Sequence, residues 1–137
     1  MNFENETQKA VYQALIANQN LLCLVNGVYD FIEQNLEYPY ITIGESSDLE
    51  WDTFYDVGRT TLFSVHVWSN DRGTKKAQEI LSEVYSSLNR VKLTTEENFN
   101  FVTCQYESGD MFRDDGGLIW HGVHQYRIIV EETNNGS

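Results

Sequence analysis

Tyr38-Pro39-Tyr40-Ile41-Thr42-Ile43-Gly44-Glu45 and, after an acidic interval, Leu62-Phe63-Ser64-Val65-His66-Val67-Trp68-Ser69 are the two segments that decide the fold. Ile41 and Ile43 alternate with Tyr40, Thr42 and Gly44, the period of a strand with one buried face. In the second segment Phe63, Val65 and Val67 share one face, and Leu62, Ser64, His66 and Trp68 the other. Both faces are partly apolar, which leaves room for a second covered surface. Pro39, the only proline, stands at the strand start, where a missing N–H does least harm. Residues 45–58 carry Glu45, Asp48, Glu50, Asp52 and Asp56 with no basic residue. They predict a long acidic hairpin with its tip near 53–57.

Working outward, a helix is expected from about Thr74 to Leu88. Ala77, Ile80, Leu81, Val84, Tyr85 and Leu88 recur at the helical period and form one apolar stripe. Upstream, Thr7, Val11, Ala14, Leu15 and Asn18 predict a first helix, with Asn5 and Gln8 at capping-box spacing and an end near 18–20. Leu21-Leu22-Cys23-Leu24-Val25 reads as a short buried segment closed by the turn Asn26-Gly27. Residues 28–32 read as a short strand or an extended packing segment. Downstream, 101–107 reads as a strand and 109–117 as an acidic, glycine-containing loop. Residues 119–131 read as the last strand, with Trp120, His124, Tyr126, Ile128 and Val130 on its core face. The order α-β-β-α-β-β predicts an α+β fold: a roughly four-stranded, mainly antiparallel sheet with both helices on one face.

The chain has 137 residues, enough for one domain with a single core. The domain is expected over residues 1–132, with a disordered tail over 133–137. Cys23 and Cys104 lie in apolar stretches and are expected as buried free thiols, suiting a reducing compartment. No apolar run reaches the ~18 residues of a membrane span, and the acidic start is unlike a signal peptide. The net charge of −12 weighs against a direct grip on DNA or an anionic membrane, because several phosphates cannot be neutralised by scattered bases.

Catalytic and metal-binding patterns do not assemble. His121 and His124 are three apart on one predicted strand and so face opposite ways, which argues against a shared metal. Asp110, Asp114, Asp115 and Gly116 have the composition of a calcium loop without its order, and no glutamate stands at the bidentate position. Gly116-Gly117 has no following lysine, and no Gly-x-Ser-x-Gly elbow occurs. The reading is non-enzymatic, without cofactor or metal. What remains is a set of aromatic and thioether side chains in the two predicted loops: Trp51, Phe54, Tyr55, Met111 and Phe112. They fold back on their own hairpins or anchor a protein–protein contact, where such residues are enriched.

Taken in order, several segments resemble the tailed-phage tail completion proteins, also called tail terminators or tail-to-head joining proteins. The segments are Val11-Tyr12-Gln13-Ala14-Leu15, Gly27-Val28-Tyr29-Asp30, the Tyr38–Glu45 strand, Trp51-Asp52-Thr53, His66-Val67-Trp68-Ser69 and His121-Gly122-Val123. The resemblance implies a structural virion protein of the tail neck, assembled in the host cytoplasm. It implies a ring, usually a hexamer, that caps the tail tube, ends its growth and joins it to the head. Its partners would be further copies of itself, the tail tube protein and a head-tail connector or neck protein, with DNA passing through unbound. In such a ring, Asp52, Asp56, Asp114 and Asp115 are candidates to face the channel. Two other classes are compatible with the sequence: a different neck or adaptor protein, and a small cytosolic α+β enzyme or ligand-binding domain with a deep polar pocket.

Overall fold

The computed structural model of the chain describes residues 3–30, 36–52, 57–91, 93 and 99–132. Three helices, α1 (Phe3–Ile16), α2 (Gln19–Leu24) and α3 (Lys75–Leu88), accompany five strands: β1 (Val28–Tyr29), β2 (Tyr40–Asp52), β3 (Val57–Ser69), β4 (Phe99–Asp114) and β5 (Ile119–Glu132). The strands form one sheet in the order β1-β2-β3-β5-β4. All neighbours are antiparallel except β1, which runs parallel to β2 and pairs only at Ile41 and Thr42. The fold is α+β as expected, with one strand more than the four predicted. The additional strand is β1, where the sequence leaves residues 28–32 open between a short strand and an extended packing segment.

The register fixes which side chains share a face. Ile41 stands opposite Val67 and Ile43 opposite Val65. Val65 stands opposite His124, and Val67 opposite Gly122. This face is covered by the helices. Ala77, Ile80, Leu81, Val84 and Leu88 of α3 are buried with Val11 and Leu15 of α1 against Ile41, Val65, Val67, Tyr126 and Ile128. Tyr85, expected on the same stripe, is 43% exposed. Its ring reaches Tyr106 at the rim of the helix instead of entering the core. Gly122 lets α3 come close: a Cβ there would stand 2.7 Å from Leu81 Cδ1.

Three local expectations change. α1 starts at Phe3, so Asn5 lies inside the helix and does not cap it, and α1 ends at Ile16. The 21–25 segment is mostly helical, and only Leu21 is buried; Leu22 and Cys23 are exposed. A six-residue helix lying on α3 presents one face inward, so a run of apolar letters need not be a buried run. Asn18 explains why the chain turns there. Its Oδ1 accepts from Leu21 N–H at 3.1 Å, and its Nδ2 donates to Ser87 Oγ at 2.9 Å and to Glu83 at 3.1 Å. One side chain caps α2 and clamps it to α3.

The third change is the largest. Strand β4 continues through the predicted loop to Asp114, and the turn shrinks to a 3-10 turn at Asp115–Gly117 followed by Leu118. Gly116 and Gly117 have positive φ, 67° and 89°, which the tight reversal requires. Residues 109–114 read as a loop because β4 is an edge strand with one side open to water. Its polar alternate positions hide the period. Trp120 and His124 are half-buried on the expected face, and Tyr126 and Ile128 are fully buried.

Candidate functional site

Helices of 14 residues span about 21 Å, whereas strands of 13 residues span about 43 Å. The helical layer therefore reaches along only part of the sheet, and the opposite face carries no helix among the described residues. On that bare face the register sets an aromatic row across four strands. Tyr40 pairs with Trp68, Trp68 with His121, and Phe112 with His121. Tyr38 lies 5.3 Å from Tyr40 between ring centroids, and Tyr40 stacks on Trp68 at 6.3 Å. Trp68 lies flat on His121 at 3.9 Å with 8° between planes, and Phe112 closes the row 5.9 Å from His121. Offset-stacked aromatic contacts stabilise beyond their buried area. Phe112, at the open end, is 47% exposed.

Within the row sits a polar chain that sequence reasoning missed. His66 Nδ1 and His121 Nε2 are 2.7 Å apart, and His121 Nδ1 is 3.3 Å from Asp114 Oδ2. With Nδ1–H donated to the carboxylate, the Nε2 of a neutral His121 accepts from His66. Comparing His121 only with His124 on the same strand could not reveal this. The partner is diagonal on β3, and cross-strand register is invisible without the pairing. No group of three or more His, Cys, Asp or Glu that could hold a metal occurs among the described residues.

His124 lies on the opposite face, as expected, with Nδ1 3.0 Å from the Tyr126 hydroxyl and its ring against Tyr106. Burial pushes its pKa down to about 4. Burial also raises the Cys104 thiol to about 12 and lifts the Tyr126 phenol further, so neither ionises near neutrality. An imidazole kept neutral in the fold but free to protonate when unfolded stabilises fully above its unfolded pKa of about 6.5. That contribution is lost as pH falls from there toward 4. Discounted for partial exposure, the loss is about 1–2 kcal/mol. Urea melts at pH 7 and pH 4.5 should show this difference in wild type beyond that in His124→Gln. Equal differences in both proteins would mean that His124 is not held neutral.

The other predicted site residues separate. Met111 packs against the core beside Gly122 on the helix-covered face, so it is not an exposed anchor. Phe112 is on the bare face, and both residues are in strand β4 and not in the expected loop. Trp51 and Asp52 end β2, and Asp115 opens the 3-10 turn; their side chains lie outside the described part. Phe54, Tyr55 and Asp56 lie outside the described residues. The two acidic tips stand at opposite ends of the sheet. Asp52 pairs with Val57 at one end of β3, whereas Asp114 pairs with Ile119 just beyond the other end at Ser69. About 40 Å of strand separates them.

A family model, "Tail completion protein gp17", matches residues 9–131. The chain belongs to the tail completion protein family. Tail completion protein gp17 of Bacillus phage SPP1 is 30% identical over 128 residues, covering 92% of each chain. The solved structure of that SPP1 protein superimposes with a TM-score of 0.60 at 26% identity, covering 95% of this chain and 90% of that one. A chain in the virion of a native gene transfer agent particle has the same fold, with a TM-score of 0.86 at 22% identity, covering 93% and 96%. As a tail completion protein the chain is a structural component of the virion tail, not an enzyme. The aromatic row is accordingly a candidate assembly surface. No helix among the described residues is long and apolar enough to cross a membrane.

Proposed function

We propose that this tail completion protein closes the head-proximal end of the tail tube as a ring, a hexamer on the assembled tail. The ring ends tube growth and supplies the joint to a head-tail connector or neck protein. The observation that carries this reading is the match to the tail completion family across residues 9–131, nearly the whole chain. The bare sheet face with its aromatic row supports it, since aromatic side chains dominate contact energies when a partner removes them from water. Phe112 is the best-exposed member of the row, and Trp51, Phe54 and Tyr55 are further candidates for the contact.

A ring that passes a genome must not hold it. The net charge of −12 is the property such a bore needs, because adhesion to DNA grows with each phosphate neutralised. Asp114 and Asp115, or Asp52 and Asp56, line the bore. The 40 Å between the two tips means that one pair lies at the entrance or waist while the other faces an end of the ring. The same charge makes subunits repel, which favours assembly on the tube end over ring formation in free solution.

A cryo-EM reconstruction of purified tails tests these points together. The expected map has one ring of this chain at the head-proximal end, resting on tube subunits, with one of the two acidic tips toward the axis. Density for the chain at the distal tip, or along the tube, would overturn the capping role. Both tips on the outer rim would overturn the bore assignment alone.

A further inference from the structure

We infer that the outer edge of β4 over residues 108–114 takes an added strand from another virion protein, one with a cation on either side of an apolar residue at alternate positions. Such a contact is independent of whether the chain forms a ring. β4 is the last strand of the sheet and pairs only with β5. The protein closes the first part of that free edge itself. Arg90, just past the end of α3, donates its N–H to the Cys104 carbonyl at 2.7 Å, and Asn89 Oδ1 accepts from the Tyr106 N–H at 2.9 Å. Beyond the register shift between Tyr106 and Ser108 this cover stops. Residues 108–114 keep an unbroken register with β5, from Ser108 opposite Gln125 to Asp114 opposite Ile119. Among the described residues, no backbone group bonds their outer side. Ser108, Gly109, Asp110, Phe112 and Arg113 are exposed. Seven residues offer about 23 Å of unbulged edge. Edges are commonly blunted by proline, lysine or a bulge, and this stretch has none of the three.

The side chains select which strand fits. Asp110, Phe112 and Asp114 alternate and so share the face away from the helices. Phe112 is 47% exposed, and the equally exposed Asp114 carboxylate meets His121 through Oδ2 alone. Asp110 has no ion-pair partner among the described residues. Arg113, the one cation of β4, lies on the opposite face with its guanidinium 4.5 Å over the Trp120 ring. Arg127 is tied to Glu107 at 2.6 Å. An added antiparallel strand sets one side chain opposite each of Asp110, Phe112 and Asp114, where opposite charges attract and like charges repel. A second copy fits badly, because β4 paired with β4 about Phe112 puts Asp110 opposite Asp114 on both sides. Nor does any described strand bring two lysines or arginines to one face, since β1 and β2 have none and β3, β4 and β5 have one each. With −12 on every copy, the acids guard the edge against copies and leave it open to a cationic partner. Main-chain bonds give such a strand its hold, and its alternate side chains give the selectivity.

The test follows backbone amide exchange over residues 108–114 of the full chain. The probe is a synthetic seven-residue peptide of threonines with lysine at the second and sixth positions and leucine at the fourth. The peptide should slow exchange over 108–114 and leave the already bonded 104–106 unchanged. Asp110→Lys should weaken its binding roughly tenfold, and Asp110→Asn by less, with the melting of the free chain unaltered. A peptide N-methylated on the amides that face the edge should not bind. Equal binding of the methylated peptide would reduce the contact to charge attraction and overturn the added strand. No binding to wild type, or equal binding to wild type and both Asp110 variants, would overturn the cationic partner. In purified particles the same amides should exchange more slowly than in the free chain, and equal rates would overturn the contact in the virion. Protection of 108–114 that grows with concentration of the free chain alone would give the edge to a second copy and overturn the assignment to another protein.

Discussion

Leu88→Ala is expected to lower the unfolding free energy by about 3–5 kcal/mol, and Leu81→Ala by about 2–4 kcal/mol. Leu88 is 1% exposed and Leu81 7%, both on the face of α3 that covers the sheet. Removing either side chain forfeits its transfer free energy and leaves a cavity. Helix α3 packs on α1, β3 and β5, and the two strands are held in place by the ladder between them, so collapse around the gap is limited. Against a total stability of about 5–15 kcal/mol for a domain, the loss is a large fraction and should lower the melting temperature on the order of 10 °C. Tyr85→Ala is the internal control. It lies on the same helix one turn from Leu81 yet is 43% exposed, and it should cost less than either leucine. Thermal melts of the three variants decide the matter. Unchanged midpoints for both leucine variants would mean that the stripe faces solvent or a partner and that the layer order is wrong.

That stripe is also the part of the fold most legible in the sequence. Ala77, Ile80, Leu81, Val84 and Leu88 repeat over three helical turns, and periodicity over such a length has few alternative readings. The strands β2, β3 and β5 announce themselves by alternation for the same reason. β4 was only half legible. At an edge, one side of the strand and one row of backbone groups meet water, and selection there favours Asp110, Asp114 and Gly109 over an apolar alternation. Composition then imitates a loop. Cys23 fails in a related way: its apolar neighbours Leu22 and Leu24 suggest burial, but a six-residue helix on the outside of α3 turns Cys23 outward.

The candidate surface was legible residue by residue and illegible as an arrangement. Phe112 could be picked out because an aromatic in an acidic, glycine-bearing stretch calls for a partner. Trp68, His66 and His121 are ordinary strand residues in one dimension. They become a stacked, hydrogen-bonded row only once β3 pairs with β5 in the register that sets Trp68 opposite His121. Register depends on the whole sheet, including turns and bulges such as the shift between Tyr106 and Ser108, and no local spacing encodes it. Met111 shows the converse. One residue from Phe112, it points to the opposite face of β4 and belongs to the core, as the two-residue period of a strand demands.

The claim that the chain caps the tube and joins it to the head is tested most directly by assembling particles without it. A tube end left uncapped keeps adding subunits, and a head presented with no joint cannot attach. Filled heads without tails are expected, together with free tails whose lengths spread beyond the normal value, measured by electron microscopy of lysates. Addition of the purified protein should restore joining. Tails of normal length already attached to heads in its absence would contradict the capping and joining role.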